Sequence, residues 1–122
     1  MNRKILIVDD EKTFRESLQE ILQNNGYQVA LAADCLTALD LIQQDVPDLL
    51  IVDVLIPRMH GLELCARLKK DARLSQIPII LTSGVYKDLN FRLHLSSNLA
   101  DDFIAKPFKE QEILKKITRL LD

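Results

Sequence analysis

Five polar side chains in this sequence have the chemistry needed to handle a phosphoryl group. Three are carboxylates, one is a hydroxyl and one is an ammonium: Asp9, Asp10, Asp53, Thr82 and Lys106. Carboxylates together with waters and a phosphate oxygen form the ligand set that Mg²⁺ prefers. A carboxylate can also act as a nucleophile and become an aspartyl phosphate. Because positioning and charge neutralisation do most of the work in phosphoryl transfer, this set of groups suits that reaction.

Each of the five residues lies at or just beyond the carboxyl end of a predicted strand. Residues 4–8 and 49–52 are continuous apolar runs, as expected for parallel strands that are buried on both faces. The first run leads into Asp9 and Asp10, and the second leads into Asp53. In open parallel sheets, reacting groups lie outside the carboxyl ends of the strands. We therefore expect these carboxylates to meet at one edge of a sheet.

Strands and helices are predicted to alternate along the whole chain. The other predicted strands are residues 28–32, 78–82 and 102–105. The predicted helices are residues 12–24, a second helix after Asp34, and residues 61–70, 86–100 and 109–121. This alternation is typical of an α/β fold, in which helices cover both faces of a doubly wound parallel sheet.

The second helix has a candidate capping residue, whereas the helix at residues 86–100 rests on a weaker pattern. Asp34 can cap the second helix, which then turns Leu36, Leu39 and Ile42 toward the sheet. Residues 86–100 alternate like a strand, and they also carry leucines at helical spacing. We predict a helix there, because a crossover between parallel strands needs one.

Length and charge exclude several classes of protein. The 122 residues suffice for a core of normal size, and we predict that residues 1–122 form a single domain. The net charge of −2 provides no basic surface for nucleic acid, and no apolar run reaches the ~18 residues of a membrane span. Cys35 and Cys65 lack a C-x-x-C spacing, so we expect reduced packing residues in a cytoplasmic protein.

Four segments carry a resemblance to a known family, and together they cover essentially the whole chain. They are Ile7-Val8-Asp9-Asp10-Glu11, residues 47–53 followed by Pro57 and Gly61, Leu81-Thr82-Ser83, and residues 100–108. In this order they resemble the receiver domain of two-component response regulators, a family related to the chemotaxis response regulator. The resemblance implies a flavodoxin-like sheet with strand order 2-1-3-4-5 and five helices, whose switch point lies between the first and third strands.

The resemblance also implies a role for each candidate residue. Asp53 would accept the phosphoryl group, Lys106 would pair with that group, and the Lys106–Pro107 peptide bond would be cis. Thr82 would move toward the phosphoryl group on activation, while Phe103 would change its rotamer. The Mg²⁺ ligands would be three carboxylates and one backbone carbonyl, from Asp9, Asp10, Asp53 and Leu55.

The function implied by the resemblance is a signalling switch. The phosphoryl donor would be a phosphohistidine on a sensor histidine kinase or a phosphotransfer protein. The chain would catalyse only its own phosphorylation and autodephosphorylation. The face formed by residues 84–108 would then change shape, and we expect an output partner or a second copy of the chain, giving a homodimer, to bind there. Leu55 and Gly84 depart from the family at positions that affect the lifetime of the phosphorylated state.

Three other functions are alternatives. A phosphatase of the haloacid-dehalogenase type needs a second acid two residues after the nucleophile, and this chain has Leu55 there. A flavodoxin-like flavin binder needs a donor-rich loop after the first strand, where residues 9–11 would instead repel a phosphate. An unphosphorylated pseudo-receiver is disfavoured because all five site residues are present. The sequence therefore favours the signalling switch.

Overall fold

A five-stranded parallel sheet forms the centre of the protein in the computed structural model, which describes residues 3–54, 61–84 and 100–122. The strand order is β2-β1-β3-β4-β5, as expected. The strands are β1 (Lys4–Val8), β2 (Gln28–Ala32), β3 (Leu49–Asp53), β4 (Ile79–Ser83) and β5 (Asp102–Ala105). Strand β4 begins one residue later than predicted, because Pro78 has no N–H to donate, although its carbonyl accepts a hydrogen bond from the Leu50 N–H at 2.9 Å. The strand also ends one residue later, at Ser83, which pairs with Ala105 of β5.

Four helices are present in the described part of the chain. They are α1 (Lys12–Asn24), α2 (Cys35–Gln44), α3 (Gly61–Lys70) and α4 (Glu110–Leu121). Residues 86–99 of the fifth predicted helix lie outside the described residues, and Ala100, its last predicted residue, is not helical. Leu55 also lies outside the described residues. The α/β class and the doubly wound parallel sheet are confirmed.

The sheet separates two apolar cores, which explains why its strands are continuous apolar runs. Alternate side chains of a strand point to opposite faces. On one face, Leu6 and Val8 of β1 belong to a core with α2 and α3. On the other face, Ile5 and Ile7 belong to a core with α1 and α4. Every apolar position of β1 is therefore needed for packing.

Local chemistry explains where α1 ends and α2 begins, but the buried side of α2 differs from the prediction. Gly26 ends α1 with a φ of 89°, and the Asp34 carboxylate accepts a hydrogen bond from the Thr37 N–H at 2.8 Å. The prediction that Leu36 packs toward the sheet is wrong, since it is 38% exposed. The helix buries Cys35, Ala38 and Ile42 instead. Successive helical residues are rotated by about 100°, so burying Cys35 turns its neighbour Leu36 toward solvent.

Gly61 fixes the chain close to the carboxyl end of β3. Its N–H donates to the carbonyl of Val54 at 2.9 Å. A Cβ atom at this position would lie 2.3 Å from the Asp53 carbonyl oxygen, closer than any real Cβ contact. The beginning of α3 can therefore lie against the backbone of Asp53 only with glycine at this position.

Candidate functional site

Lys106 joins the ends of β1 and β3 at the carboxyl edge of the sheet. Its ammonium donates to Asp9 at 2.6 Å and to Asp53 at 2.7 Å. The backbone N–H of Lys106 donates to the carbonyl of Ser83 in β4 at 2.9 Å, so this residue continues the pairing of β5. Asp9 is 1% exposed and Asp53 is 8% exposed. The structure thus brings together three of the candidate residues, from three separate strands.

The charges of this trio are unequal, with two carboxylates and one ammonium. Burial raises the pKa of Asp9, and the hydrogen bonds from Lys106 and the Glu11 N–H only partly oppose it. Burial lowers the pKa of Lys106, but the hydrogen bonds to Asp53 and Asp9, together with the attraction of their charges, raise it overall. Lys106 therefore keeps its positive charge, whereas burial disfavours the ionised form of Asp9. A further cation nearby would stabilise the Asp9 carboxylate.

Thr82 lies beside Asp53 in the register of β3 and β4. It is fully buried, and its hydroxyl has no hydrogen-bond partner among the residues that the structure describes. Buried hydroxyls nearly always have a partner. The carboxyl edge of the sheet thus contains a buried hydroxyl next to Asp53 that can donate a hydrogen bond to a group added there.

The remaining predicted site residues are placed differently. Asp10 is exposed beyond β1, and Leu55 lies outside the described residues. Phe103 is in β5, partly buried against the core that contains α2 and α3. The Lys106–Pro107 peptide bond is cis, as expected.

The donor atoms at this edge suit a hard cation, although they do not form a closed cage. Asp9 and Asp53 present only oxygen donors, and Asp10, the next residue after Asp9, has an exposed carboxylate. No group of three or more Asp, Glu, His and Cys side chains is gathered closely enough to hold a metal within residues 3–54, 61–84 and 100–122. Oxygen donors with open positions are nevertheless what Mg²⁺ requires, because it keeps several of its waters.

Two aromatic residues that the sequence did not single out also border the site. The Nζ atom of Lys106 lies 4.0 Å from the centroid of the Phe14 ring. Phe108 contacts Phe14 edge-on, with 5.8 Å between centroids and an angle of 87°. Nothing in the helical spacing of α1 reveals the contact between Phe14 and Lys106, because the two residues are far apart in sequence.

Comparison with known proteins decides the family of this fold and site. The sequence model of the response regulator receiver domain matches residues 5–118. The chain belongs to that family. Receiver domains are signalling modules of two-component systems, so the resemblance drawn from the sequence motifs is confirmed.

Individual receiver domains are similar to this one over nearly its whole length. Response regulator MprA of Mycobacterium bovis is 40% identical over 121 residues, which are 99% of this chain and 51% of that protein. The chain thus spans about half the length of the curated relatives it matches.

Two solved structures show the same fold at appreciable sequence identity. The signal receiver domain of a signal transduction histidine kinase from Syntrophus aciditrophicus has a TM-score of 0.89 and 38% identity, covering 98% of this chain and 89% of that one. The chemotaxis response regulator CheY4 of Vibrio cholerae has a TM-score of 0.91 and 29% identity, covering 99% and 100%. None of the helices in the described ranges combines the length and apolar character needed to cross a membrane.

Proposed function

We propose that Asp53 accepts a phosphoryl group and that the chain is the phosphorylation-activated switch of a two-component phosphorelay. The observation that carries this proposal is the position of Lys106, whose ammonium lies 2.7 Å from Asp53 and 2.6 Å from Asp9. Asp53 is shielded but not sealed off, at 8% exposure. A carboxylate that is paired with an ammonium and keeps some exposure to solvent suits nucleophilic attack on a small phosphoryl donor.

In the proposed reaction, a carboxylate oxygen of Asp53 forms a bond to phosphorus as the phosphorus–nitrogen bond of a phosphohistidine breaks. The electron pair of that bond goes to the imidazole, which takes up a proton. Lys106 then transfers a hydrogen bond from Asp53 to a phosphoryl oxygen. The buried hydroxyl of Thr82 donates to another of these oxygens, and so gains the partner it lacks among the described residues.

Mg²⁺ is the cofactor in this proposal. Asp9, Asp10 and Asp53 would hold it, together with the backbone carbonyl of Leu55. When bound, it supplies positive charge that neutralises the phosphoryl oxygens. Burial raises the pKa of Asp9 and so disfavours its ionised form, which a bound cation would stabilise.

The switch would run from Thr82 to the surface formed by residues 84–108. Movement of Thr82 toward the phosphoryl group would draw in the loop that follows β4, and Phe103 on the neighbouring strand would turn into the space left behind. An output partner or a second copy of the chain would bind the altered face. The two states need differ by only a few kcal/mol for phosphorylation to exchange their populations.

The wider setting of the domain is part of the same proposal. Residues 1–122 would form one receiver domain that acts in the cytoplasm, takes its phosphoryl group from a sensor histidine kinase or a phosphotransfer protein, and catalyses only its own phosphorylation and dephosphorylation. Cys35 and Cys65 are buried free thiols, as is usual in a reducing compartment. The net charge of −2 supports output through protein partners, with no nucleic acid contacted by this chain.

The proposal is tested by intact-mass spectrometry after incubation with acetyl phosphate and Mg²⁺. The wild-type protein should gain the mass of one phosphoryl group, and the gain should be lost on treatment with base. Asp53→Asn should show no gain. Asp40→Asn, which removes an exposed carboxylate on α2, should behave as the wild type. Equal phosphorylation of Asp53→Asn and the wild type would refute the proposal.

A further inference from the structure

The ammonium of Lys106 has a third neighbour besides its two carboxylates. A lysine ammonium carries three donors, and two of them point to Asp9 and Asp53. The ring of Phe14 lies on another side, with its centroid 4.0 Å from Nζ. This distance is well within the ~6 Å over which an aromatic face attracts a cation. The side chain of Lys106 is only 17% exposed, so little water competes for that face.

The Phe14 ring is itself held in position. Phe108 packs its ring at 87° to that of Phe14, which is the favoured edge-to-face arrangement. Both rings line an apolar cleft of about 440 Å³, whose floor includes Leu18 and Ile21 of α1. The aromatic face beneath Lys106 is therefore supported by two elements, α1 and the segment that leads into α4.

We propose that Phe14 is a positioning residue for phosphoryl transfer, because its ring face keeps the Lys106 ammonium aimed at Asp53. This inference rests on the function proposed above. Lysine has a flexible four-carbon stem and no fixed geometry of its own. Its two carboxylate hydrogen bonds must change when Asp53 acquires a phosphoryl group, whereas the ring face is the same before and after. Phe14 thus provides a constant partner through the reaction, and Phe108 fixes the orientation of that partner.

Phe14 has two simpler roles that a test must separate from positioning. It packs in the core that contains α1 and α4, so its loss can destabilise the fold. It also lines the cleft beside Lys106, so its loss would affect any protein phosphoryl donor that docked there. Acetyl phosphate makes the docking role irrelevant, because so small a donor needs no docking surface. Leucine at position 14 limits the loss of packing, since it retains most of the apolar contacts without an aromatic face.

The experiment compares Phe14→Leu and Phe14→Tyr with the wild type in the rate of phosphorylation by acetyl phosphate and Mg²⁺. Because Phe14→Leu lacks the aromatic face, its phosphorylation rate should be about 2- to 30-fold lower than that of the wild type. This range corresponds to the strength of a cation–π contact, from the weaker value at an exposed site to the stronger value at a desolvated one. Phe14→Tyr keeps the face and should restore the wild-type rate. Tyr27→Leu is the matched control, since it removes an aromatic ring from the same core at the opposite end of the strands.

A spectroscopic readout follows the contact directly. The ring current of Phe14 should shift the ε-methylene protons of Lys106 upfield, and this shift should vanish in Phe14→Leu and persist in Phe14→Tyr and Tyr27→Leu. A wild-type rate in Phe14→Leu, a slow Phe14→Tyr, or the absence of the upfield shift in the wild type would each overturn the inference. If Asp53→Asn and Lys106→Ala slow the reaction while Phe14→Leu does not, the inference fails and the proposed function stands. If the wild type takes up no phosphoryl group, the proposed function fails and the inference fails with it.

Discussion

Replacing Thr82 by valine should stabilise the unphosphorylated, metal-free protein. The hydroxyl of Thr82 is fully buried and has no partner among the described residues. Folding therefore removes its hydrogen bonds to water, and no described residue replaces them. An unpaired buried hydroxyl costs about 1–3 kcal/mol in proteins. Valine has nearly the same shape and keeps the packing of the methyl group. We therefore expect Thr82→Val to raise the free energy of unfolding by about 1–2 kcal/mol.

Urea denaturation measures this change as a higher midpoint with an unaltered m-value. In thermal denaturation it corresponds to an increase in Tm of roughly 4–8 °C for a domain of this size. Thr82→Ser is the matched control. It keeps the hydroxyl and removes the methyl group, so it should lower the free energy of unfolding by about 0.8 kcal/mol or more.

The same substitution should abolish the response to phosphorylation. Without the hydroxyl, the side chain at position 82 cannot donate a hydrogen bond to a phosphoryl oxygen. The interaction that is proposed to draw in the loop after β4 is then lost. Thr82→Val should still accept a phosphoryl group on Asp53, but amide exchange in residues 84–108 should no longer change on adding beryllofluoride. A loss of 1 kcal/mol or more of stability in Thr82→Val would show that the hydroxyl has a partner, and would refute the reasoning.

Three further predictions concern other parts of the site and the core. Gly61→Ala should lower the free energy of unfolding by about 1–3 kcal/mol in a urea titration. The cause is overpacking, since its Cβ would lie 2.3 Å from the Asp53 carbonyl oxygen. Gly84→Ala is the control and should have little effect, because its Cβ would meet nothing closer than 3.9 Å. The pKa of Asp9 is raised by burial, so its contribution to stability is present at low pH and is lost as pH rises through the folded pKa. Asp9→Asn should therefore raise Tm at neutral pH without metal and remove the stabilisation by Mg²⁺, and a lower Tm would contradict this. Burial raises the pKa of Cys65 from 9.0 to about 12, so the folded state keeps a proton that the unfolded state loses. Relative to Cys65→Ala, the wild type should lose roughly 1.4 kcal/mol per pH unit above pH 9, and parallel pH profiles would exclude this.

The fold could be predicted because its physical determinants are local. Residues 4–8 and 49–52 had to be strands buried on both faces, and the two cores confirm this. Asp34 marked the start of α2 through side-chain capping, which depends on a single residue. Leu36 was misplaced because the hydrophobic pattern of a short helix allows more than one face, and only packing against the sheet selects between them.

The site was predictable only in part. The carboxyl ends of parallel strands share one edge, so the gathering of Asp9, Asp53 and Lys106 followed from the order of the elements. The contact of Phe14 with Lys106 depends on how α1 lies against the segment after β5, which no local pattern encodes. That the Thr82 hydroxyl has no partner among the described residues is likewise a property of the packed interior.

The central claim, that Asp53 is the phosphoacceptor, is tested most directly by locating the modified residue. Borohydride reduces an aspartyl phosphate to homoserine, which is stable to digestion and tandem mass spectrometry. After treatment of the protein with acetyl phosphate and Mg²⁺, followed by borohydride, homoserine should appear at position 53. Homoserine at Asp9 or Asp10, or at no position in a protein that had gained the mass of a phosphoryl group, would contradict the assignment.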